Sequence, residues 1–548
     1  MKQAPITSRW WIVAGGGLLF TASLLAVGFS LVWYFATDST ARRQSKSLID
    51  QPESQPPRLI TGQVLDTSGE PAVGARVRWK GTEYSTLSDT VGRFTLSIPM
   101  LALNEGQPVR LVAALEGHFI GGRDWNGEDE DITLRLVSYP AIDHDDYDWI
   151  DPRPSEIDEN RCANCHPEIY AEWSQSGHAR SANNPHFLNV FLGTDAAGRA
   201  DVGWNLAGDY PEGKSVCLSC HQPSREPSIE SDGLLLAEES VHSLGVHCDF
   251  CHKVANVSTQ HVGLSHGRFA MTLLRPARGE KLLLGPLDDV DRGEDVYSPL
   301  YGESRYCASC HEGILFGTHA YSTYSEWLGT NYAERGVQCQ DCHMANHRQI
   351  TNMAAGHGGI ERDPVTLSSH ATPGSDLGFL REHLSLEVAS HRESGGIVVR
   401  TTVTARDVGH LTPTGHPSRQ LLLVLRANTE SGQAVPLIAG ERLPAAAGTP
   451  DRGGQAGQPG KLYAKTLTSL DGDPHIPYWD VTELAADTRL KPDEPDRASF
   501  TFAGQQSPVV IQAELIYRRF PFDVAKEKGW TDNEIHVATQ TFRVNSDP

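Results

Sequence analysis

The sequence predicts a multidomain protein with a single N-terminal transmembrane helix, a small β-sandwich, a mostly α-helical and irregular core, and a C-terminal β-sandwich-like domain. Three observations support this fold class. One long apolar run lies near the N-terminus, all ten cysteines lie in the middle of the chain, and hydrophobic residues alternate with period two on either side of them. With 548 residues the chain can form several hydrophobic cores, because a domain takes roughly 150 residues.

The apolar run extends from Trp10 to Ala36. As a helix it is long enough to cross roughly 30 Å of hydrocarbon, and aromatic residues stand at both of its ends, where membrane interfaces favour them. A cleaved signal peptide is the alternative, but its apolar segment is only about 7–15 residues long. Residues 1–36 are therefore predicted as a cytoplasmic N-terminus with a membrane anchor, and residues 37–57 as a polar tether.

Short apolar stretches separated by Gly and Asp turns fill residues 58–137, for example in Gly62–Val77 and Ser85–Leu96. This pattern is typical of antiparallel strands. The same residues resemble the carboxypeptidase regulatory-like, or transthyretin-like, domain, and the resemblance implies a small β-sandwich that acts as a spacer or interaction module. Residues 138–159 are acidic and contain prolines, which indicates a solvated linker.

The ten cysteines form five Cys-x-x-Cys-His motifs, numbered here motif 1 to motif 5, and no cysteine is left over. Each motif predicts covalent attachment of a c-type haem, because two thiols at this spacing add to the two vinyl groups of one porphyrin and the next histidine ligates the iron. A zinc knuckle or a disulfide framework is the alternative, but neither requires a histidine after every second cysteine. The predicted attachment residues are Cys162, Cys165, Cys217, Cys220, Cys248, Cys251, Cys307, Cys310, Cys339 and Cys342. The predicted proximal ligands are His166, His221, His252, His311 and His343.

The predicted cofactors are therefore five c-type haems, and residues 160–379 form the predicted pentahaem cytochrome domain, a mostly α-helical and irregular multihaem core. An internal repeat runs through this domain. Gly245-Val-His-Cys248 before motif 3 matches Gly336-Val-Gln-Cys339 before motif 5, and the sequences around motifs 2 and 4 also agree. Motifs 2 and 3 are thus predicted to form one pair, and motifs 4 and 5 a second, similar pair.

Distal iron ligands are predicted from the histidines outside the motifs. Two segments share a Glu-Trp step, and the fifth residue after the tryptophan is His178 in one and Tyr332 in the other. Neutral imidazole binds haem iron well, whereas a phenol with a pKa near about 10 does not, so His178 is a predicted ligand and Tyr332 a packing or hydrogen-bonding residue. His370 and His410 lie in turns, from which a side chain can reach a neighbouring haem. The predicted distal ligands are His178, His242, His370 and His410.

Beyond residue 380 the hydrophobic period becomes two, as in Ile397–Val403, Gln420–Leu425 and Val509–Tyr517. Alternation of this kind predicts half-buried strands. Residues 380–548 are therefore predicted as a C-terminal β domain with a sandwich-like arrangement.

The haem region resembles the superfamily of multihaem cytochromes that includes cytochrome c nitrite reductase and hydroxylamine oxidoreductase. The resemblance rests on Cys162–His178, Gly245–His252 and Gly336–Met344, and on the stretch Gly409–Gly415 that follows such haem regions. It implies a close-packed haem array in which most irons have six ligands, and it does not define a substrate.

Electron transfer is the favoured function: a membrane-anchored protein relays electrons through its haem array. The alternative is an oxidoreductase that acts on a small nitrogen or sulfur oxyanion at one haem with open coordination, but no residue of the sequence identifies a catalytic group, so enzymatic activity is left open. Covalent haem attachment outside the cytoplasmic membrane predicts a single-pass protein with its bulk on the periplasmic side. The predicted partners are redox proteins or a membrane quinol-side complex, and a net charge of −22 argues against nucleic acid.

Overall fold

A computed structural model describes residues 56–103, 109–128, 131–226, 240–473 and 476–545. Contacts between Cα atoms divide the chain into two units, Met1–Arg58 with Ile98–Glu105, and Leu59–Ser97 with Gly106–Pro548. Nearly all of the first unit lies outside the described residues. The second unit contains the three structured regions and all five motifs.

The predicted membrane span is corrected by the structure. Within the described ranges, no helix is long and apolar enough to cross a bilayer. Trp10–Ala36, on which the prediction rested, lies outside those ranges. The fold class with a single transmembrane helix and the single-pass localisation with a periplasmic bulk are wrong in this respect, since the described structure has no spanning helix to support them.

The N-terminal β region consists of two sheets. Its inward side chains alternate along the strands, so that Val64, Val77 and Leu134 are buried while their neighbours in sequence are more exposed. The strands are β1 (Arg58–Asp66), β2 (Arg76–Trp79), β3 (Ser85–Leu87), β4 (Arg93–Ile98), β5 (Val109–Ala114), β6 (His118–Phe119), β7 (Gly121–Trp125) and β8 (Ile132–Ser138). One sheet has the order β3-β2-β5-β7, and the other contains β6-β8-β1-β4, with β1 and β8 parallel.

Two strands of the haem region extend the second sheet. They are β11 (Leu283–Gly285) and β12 (Asp295–Tyr297), and β12 joins β6 through Val296 and Phe119. Three aspartates of the connecting loop then hold the basic side chains and one amide of the β region. Arg76 and Arg78 contact Asp288, Lys80 and Arg110 contact Asp291, and the Gly81 amide donates to Asp289. The aspartates are at least nine-tenths buried, so salt screens this contact less than it screens ion pairs on the surface.

Short helices dominate the haem region, and most begin at or beside a motif. They are α1 (Cys162–Cys165), α2 (Pro167–Ser174), α3 (Pro185–Leu192), α4 (Leu206–Asp209), α5 (Lys214–His221), α6 (Cys248–Cys251), α7 (Arg305–Ala308), α8 (Thr323–Leu328), α9 (Asn331–Glu334) and α10 (Cys339–His343). Short 3-10 helices occur throughout the second unit, at Val241–Leu244, Gly267–Ala270, Pro299–Gly302, Pro364–Thr366, Ala445–Ala447 and Pro450–Arg452, and Met100–Ala102 of the first unit is another.

The haem region contains more β structure than the predicted helical and irregular core. Strands β9 (Val254–Val257) and β10 (Met271–Leu273) pair with each other, as do β13 (Gly313–Leu315) and β14 (Thr318–Tyr321). Each strand has only three or four residues, which is too short for a period-two pattern to be recognised. The fold-class prediction is corrected on this point as well.

The C-terminal region consists of two packed sheets, ordered β15-β16-β21-β18 and β20-β19-β17-β22-β23. Alternate side chains of both sheets, among them Ile397, Leu421 and Leu515, share one hydrophobic core. Its strands are β15 (Leu384–Glu393), β16 (Gly396–Ala405), β17 (Gln420–Thr429), β18 (Leu437–Ala439), β19 (Gly460–Thr468), β20 (Glu483–Asp487), β21 (Asp496–Ala503), β22 (Val509–Arg518) and β23 (Glu534–Val544). Helices α11 (Leu377–His383) and α12 (Phe522–Lys528) complete it.

Candidate haem attachment sites

The ten cysteines are all free thiols, and each has part of its surface accessible. In motifs 1, 2, 3 and 5 both cysteines lie on one short helix, three residues apart. Residues at this spacing neighbour each other on a helix surface, so both thiols point to the same side. This arrangement suits attachment to the two vinyl groups of one porphyrin.

The structure does not favour the two alternative uses of the motifs. No pair of cysteines forms a disulfide, which removes the support for a disulfide framework. In the described part of the chain, no group of three or more His, Cys, Asp or Glu side chains could hold a bare metal ion. A zinc knuckle requires four such ligands.

Four motif histidines are oriented by a backbone carbonyl. When Nδ1–H donates to a carbonyl, the tautomer is defined and the lone pair of Nε2 is left free for a metal. The Nδ1–O distances are 2.7 Å from His166 to Met353, 2.6 Å from His221 to Ser181, 2.6 Å from His252 to Leu284, and 2.8 Å from His343 to Pro373. This is the donor set that a haem iron requires on its proximal side.

His311 of motif 4 is kept neutral by its surroundings. Burial first, and then the neighbouring His178 and His343, lower the pKa of His311 to about 3. The residue also has accessible surface. A neutral and accessible imidazole fits an iron ligand.

Two predicted distal histidines lie opposite motif histidines. The ring centres of His178 and His311 are 6.4 Å apart, and those of His343 and His410 are 6.3 Å apart. A metal–imidazole bond is about 2.0 Å long and the ring centre lies about 1.2 Å beyond the bound nitrogen, so two histidines on opposite sides of one iron have centres roughly 6.3 Å apart. Both separations therefore fit an axial pair, and in His410 Nδ1 contacts the Leu411 carbonyl, which leaves Nε2 free.

The other two predicted distal histidines have different surroundings. His370 is enclosed by the protein, its backbone N–H donates to Glu172 at 2.8 Å, and its Nδ1 has no partner. Burial and then His252 lower the pKa of His370 to about 4. His242 is partly buried, and its Nδ1 contacts the Ser224 hydroxyl at 2.8 Å. The roles of all four histidines stay predictions.

One further histidine was missed by the sequence analysis. His416 is enclosed beside motif 2, its Nδ1 lacks a partner, and its ring packs against Phe520 at 4.8 Å and Tyr478 at 5.9 Å. Tyr478 and Cys217 pack against the same hydrophobic cluster. His416 directly follows the stretch Gly409–Gly415, which was the available signal in the sequence.

Motif 3 contains a fully buried ion pair. Lys253 Nζ and Asp249 Oδ1 are 2.5 Å apart, and neither side chain is accessible. The Tyr147 hydroxyl and the Ile150 amide donate to the other carboxylate oxygen at 3.0 Å and 2.9 Å. The carboxylate therefore ties the linker before motif 1 to the helix of motif 3, and both of its oxygens accept hydrogen bonds.

His247 supplies a pH dependence at the same helix. It is fully buried, its Nδ1 accepts the Phe250 N–H as an N-cap, and burial lowers its pKa to about 4. Because the unfolded state takes up a proton near pH 6.5 and the folded state does not until about pH 4, stability falls as the pH drops through this window. His247→Asn keeps a capping acceptor but cannot take up this proton. When the pH is lowered from 7 to 5, we expect the free energy of unfolding of His247→Asn to fall by about 2 kcal/mol less than that of the wild type.

Urea unfolding of both proteins at the two pH values measures this difference. The exposed His261 offers a control. His261→Asn is expected to keep the wild-type pH dependence of stability. If His247→Asn loses as much stability between pH 7 and pH 5 as the wild type does, His247 is not the source of the pH dependence.

Comparisons with known proteins agree with this chemistry. A family model described as cytochrome c554 and c-prime matches residues 161–253, which contain motifs 1 to 3. The fold is similar to the crystal structure of a penta-heme cytochrome c552 from Thermochromatium tepidum, with a TM-score of 0.51 and 20% identity over 72% of this chain and 100% of that chain. No curated protein matches. The predicted c-type haem cofactors are confirmed, while the narrower resemblance to nitrite and hydroxylamine enzymes and the identity of the N-terminal β region stay predictions.

Proposed function

Because this chain is a multihaem c-type cytochrome, we propose that it relays electrons between redox partners through an array of five closely spaced haems. Bound c-type haem supplies a one-electron iron couple. The chain supplies the spacing, the axial ligands and the exclusion of water. The observation that carries the proposal is direct contact between cysteines of different motifs.

The thiols of three pairs of cysteines from different motifs lie beside each other. Cys162 of motif 1 contacts Cys248 of motif 3, Cys220 of motif 2 contacts Cys310 of motif 4, and Cys307 of motif 4 contacts Cys339 of motif 5. Each thiol is a point at which a porphyrin edge is held. Thiols in contact therefore bring the edges of two porphyrins close together, as rapid electron transfer requires.

Motif 3 is joined to motif 4 by two partly buried tyrosines. The hydroxyls of Tyr301 and Tyr306 both donate to the Cys251 carbonyl, at 2.6 Å and 2.9 Å, and Tyr306 directly precedes Cys307. The proposed route therefore runs from motif 1 through motifs 3 and 4 to motif 5.

Motif 2 branches from this route at motif 4. The Gly267 N–H donates to Ser309 of motif 4 at 2.6 Å, and a Cβ on Gly267 would lie 2.4 Å from the Ser219 carbonyl of motif 2. Only glycine permits this approach, since its φ is also +49°. Gly267 thus lies between motifs 2 and 4 and contacts both of them.

Burial of the motif residues indicates the ends of the route. The two residues between the cysteines are buried in motifs 2, 3 and 4, whereas Asn164 of motif 1 and Gln340 of motif 5 are partly exposed and Asp341 of motif 5 is exposed. We place the docking sites of redox partners at motifs 1 and 5. A net charge of −22 favours partners with basic contact surfaces.

Removal of single haems tests the route. Reduced protein is mixed with a bulky cobalt(III) oxidant that reacts only at the surface. In Cys307→Ala/Cys310→Ala, loss of the haem at the branch point is expected to leave a slow phase of oxidation that the wild type lacks. Cys217→Ala/Cys220→Ala is the matched control, in which the four remaining haems oxidise as fast as in the wild type.

Haem content is measured by intact mass before the kinetics. The wild type is expected to carry five haems and each double variant four. Equal oxidation kinetics in the two double variants, with four haems in each, contradicts the proposed route.

A second candidate function is conversion of a small nitrogen or sulfur oxyanion at the haem of motif 2. The observation that favours it is the enclosed polar group of His416, Arg419 and Tyr478 beside this motif. A cation and two hydrogen-bonding groups at an open iron suit an anionic substrate. Electron paramagnetic resonance of the oxidised wild type decides between the candidates, because a high-spin signal of one haem per chain favours conversion and all low-spin haems favour relay alone.

A further inference from the structure

The haem region contains a structural repeat that differs from the pairing predicted from the sequence. The Trp173 indole N–H donates to the Val246 carbonyl at 2.9 Å, and the Trp327 indole N–H donates to the Val337 carbonyl at the same distance. Each tryptophan follows one motif in the sequence, and each valine precedes another. Motifs 1 and 3 therefore form one two-haem unit, and motifs 4 and 5 form the equivalent second unit.

The thiol contacts agree with these units. Cys162 contacts Cys248 within the first unit, and Cys307 contacts Cys339 within the second. The histidine of motif 3 in the first unit, His252, is thus equivalent to the histidine of motif 5 in the second unit, His343.

A buried glutamate stands before each tryptophan and holds a loop of similar sequence. Glu172 accepts the N–H of His370, which begins His370-Ala-Thr-Pro373. Glu326 accepts the hydroxyl of Thr414, which directly follows His410-Leu-Thr-Pro413. The threonine of each His-x-Thr-Pro segment, Thr372 or Thr412, has a buried hydroxyl without a partner.

In the two-haem unit of motifs 4 and 5, the structure shows where the His-x-Thr-Pro segment places its histidine relative to a motif histidine. The ring of His410 lies 6.3 Å from that of His343, and the two ring planes differ by 11°. The first unit contains the same glutamate, tryptophan and His-x-Thr-Pro segment. The equivalent pair of histidines there is His370 and His252.

We infer that His370 is the sixth ligand of the haem iron held by Cys248, Cys251 and His252, through the same His-x-Thr-Pro device that places His410 opposite His343. The inference rests on the haem array proposed above and adds to it the identity of one axial ligand pair. His370 is enclosed by protein, its Nδ1 is unpartnered, and His252 is the neighbouring side chain with the largest electrostatic effect on it. His166 of motif 1 is a weaker neighbour, so the haem of motif 1 is the competing position.

The spin state of the haems tests the ligand role. His370→Ala is expected to convert one low-spin haem per chain to high spin, as measured by electron paramagnetic resonance and magnetic circular dichroism of the oxidised protein. Added imidazole is expected to restore the low-spin spectrum, which a misfolded variant cannot do. If His370→Ala does not accumulate, His370→Met is expected to retain six ligands and to raise the potential of one haem.

A second background identifies the iron. In Cys248→Ala/Cys251→Ala, which lacks the haem of motif 3, addition of His370→Ala is expected to create no high-spin signal beyond that background. His410→Ala is the matched control and is expected to create one high-spin haem in both backgrounds. A new signal from His370→Ala in the background assigns His370 to another haem and overturns the inference.

The remaining outcomes are also decisive. An all low-spin spectrum for His370→Ala in the wild-type background, with five haems by mass, means that His370 is not a ligand. Oxidation by the bulky cobalt(III) complex is measured on the same samples. If His370→Ala is oxidised as fast as the wild type and shows no change of spin state, the ligand assignment is overturned but the proposed relay of electrons is not.

Discussion

Replacing His178 with alanine is expected to convert one low-spin haem per chain to high spin and to raise its reduction potential. His178 lies 6.4 Å from His311, the separation that fits two imidazoles on one iron. Loss of the strong sixth donor weakens the field at the iron and destabilises its oxidised form. Because axial ligands set haem potentials over a range of about 0.8 V, a shift on the order of 0.1 V or more is expected.

Tyr332 provides the control for His178, since it occupies the same position after the second Glu-Trp step. Its hydroxyl donates to Asp493 Oδ2 at 2.7 Å, and burial raises the pKa of Tyr332 to about 12. The phenol is therefore neutral and already bonded, and Tyr332→Phe is expected to leave all five spin states unchanged. Spectroelectrochemistry and electron paramagnetic resonance measure both variants, and an unchanged spectrum for His178→Ala with full haem content contradicts the ligand prediction.

Replacing Asp249 with alanine is expected to lower the free energy of unfolding by about 3–5 kcal/mol, because the buried ammonium of Lys253 loses its counter-charge. Neither side chain of the pair is accessible, so solvent cannot compensate. The Tyr147 hydroxyl and the Ile150 amide lose their acceptor as well. Denaturant unfolding at pH 7 measures the change.

The exposed pair of Asp148 and Arg278 is the control, with side chains 70% and 73% accessible. Asp148→Ala is expected to change the free energy of unfolding by less than about 1 kcal/mol, because solvent screens surface ion pairs. Asp249→Ala combined with Lys253→Met removes both charges, and it is expected to recover part of the loss. Equal effects of Asp249→Ala and Asp148→Ala would show that burial does not strengthen the first pair.

The N-terminal and C-terminal β regions show which strands a hydrophobic pattern can predict and which it cannot. Long strands such as Gln420–Thr429 and Val509–Arg518 were predictable, because each alternates or remains buried over ten residues. Strands β11 and β12 have three residues each and join a sheet whose other strands are more than a hundred positions earlier in the chain. Such pairing leaves no local pattern, so the extension of that sheet was not predictable.

The chemistry of haem attachment follows from the local sequence alone. Two thiols and a histidine must lie within five residues to hold one porphyrin, so the motifs and the c-type haem cofactors can be read from local spacing. His178 and His410 were also predicted as ligands from local sequence, by comparison of the Glu-Trp segments and by the turn around Gly409–Gly415.

Which motifs and which histidines lie together in space depends on the folded chain. The flanking sequences paired motif 2 with motif 3, yet hydrogen bonds from Trp173 and Trp327 pair motif 1 with motif 3 and motif 4 with motif 5. Motifs 2 and 3 lie between His178 and His311 in the sequence, yet the two rings are 6.4 Å apart in the folded chain. Iron ligation joins groups across space and places no constraint on the residues between them, so the partners of a ligand histidine depend on the folded chain and not on its spacing.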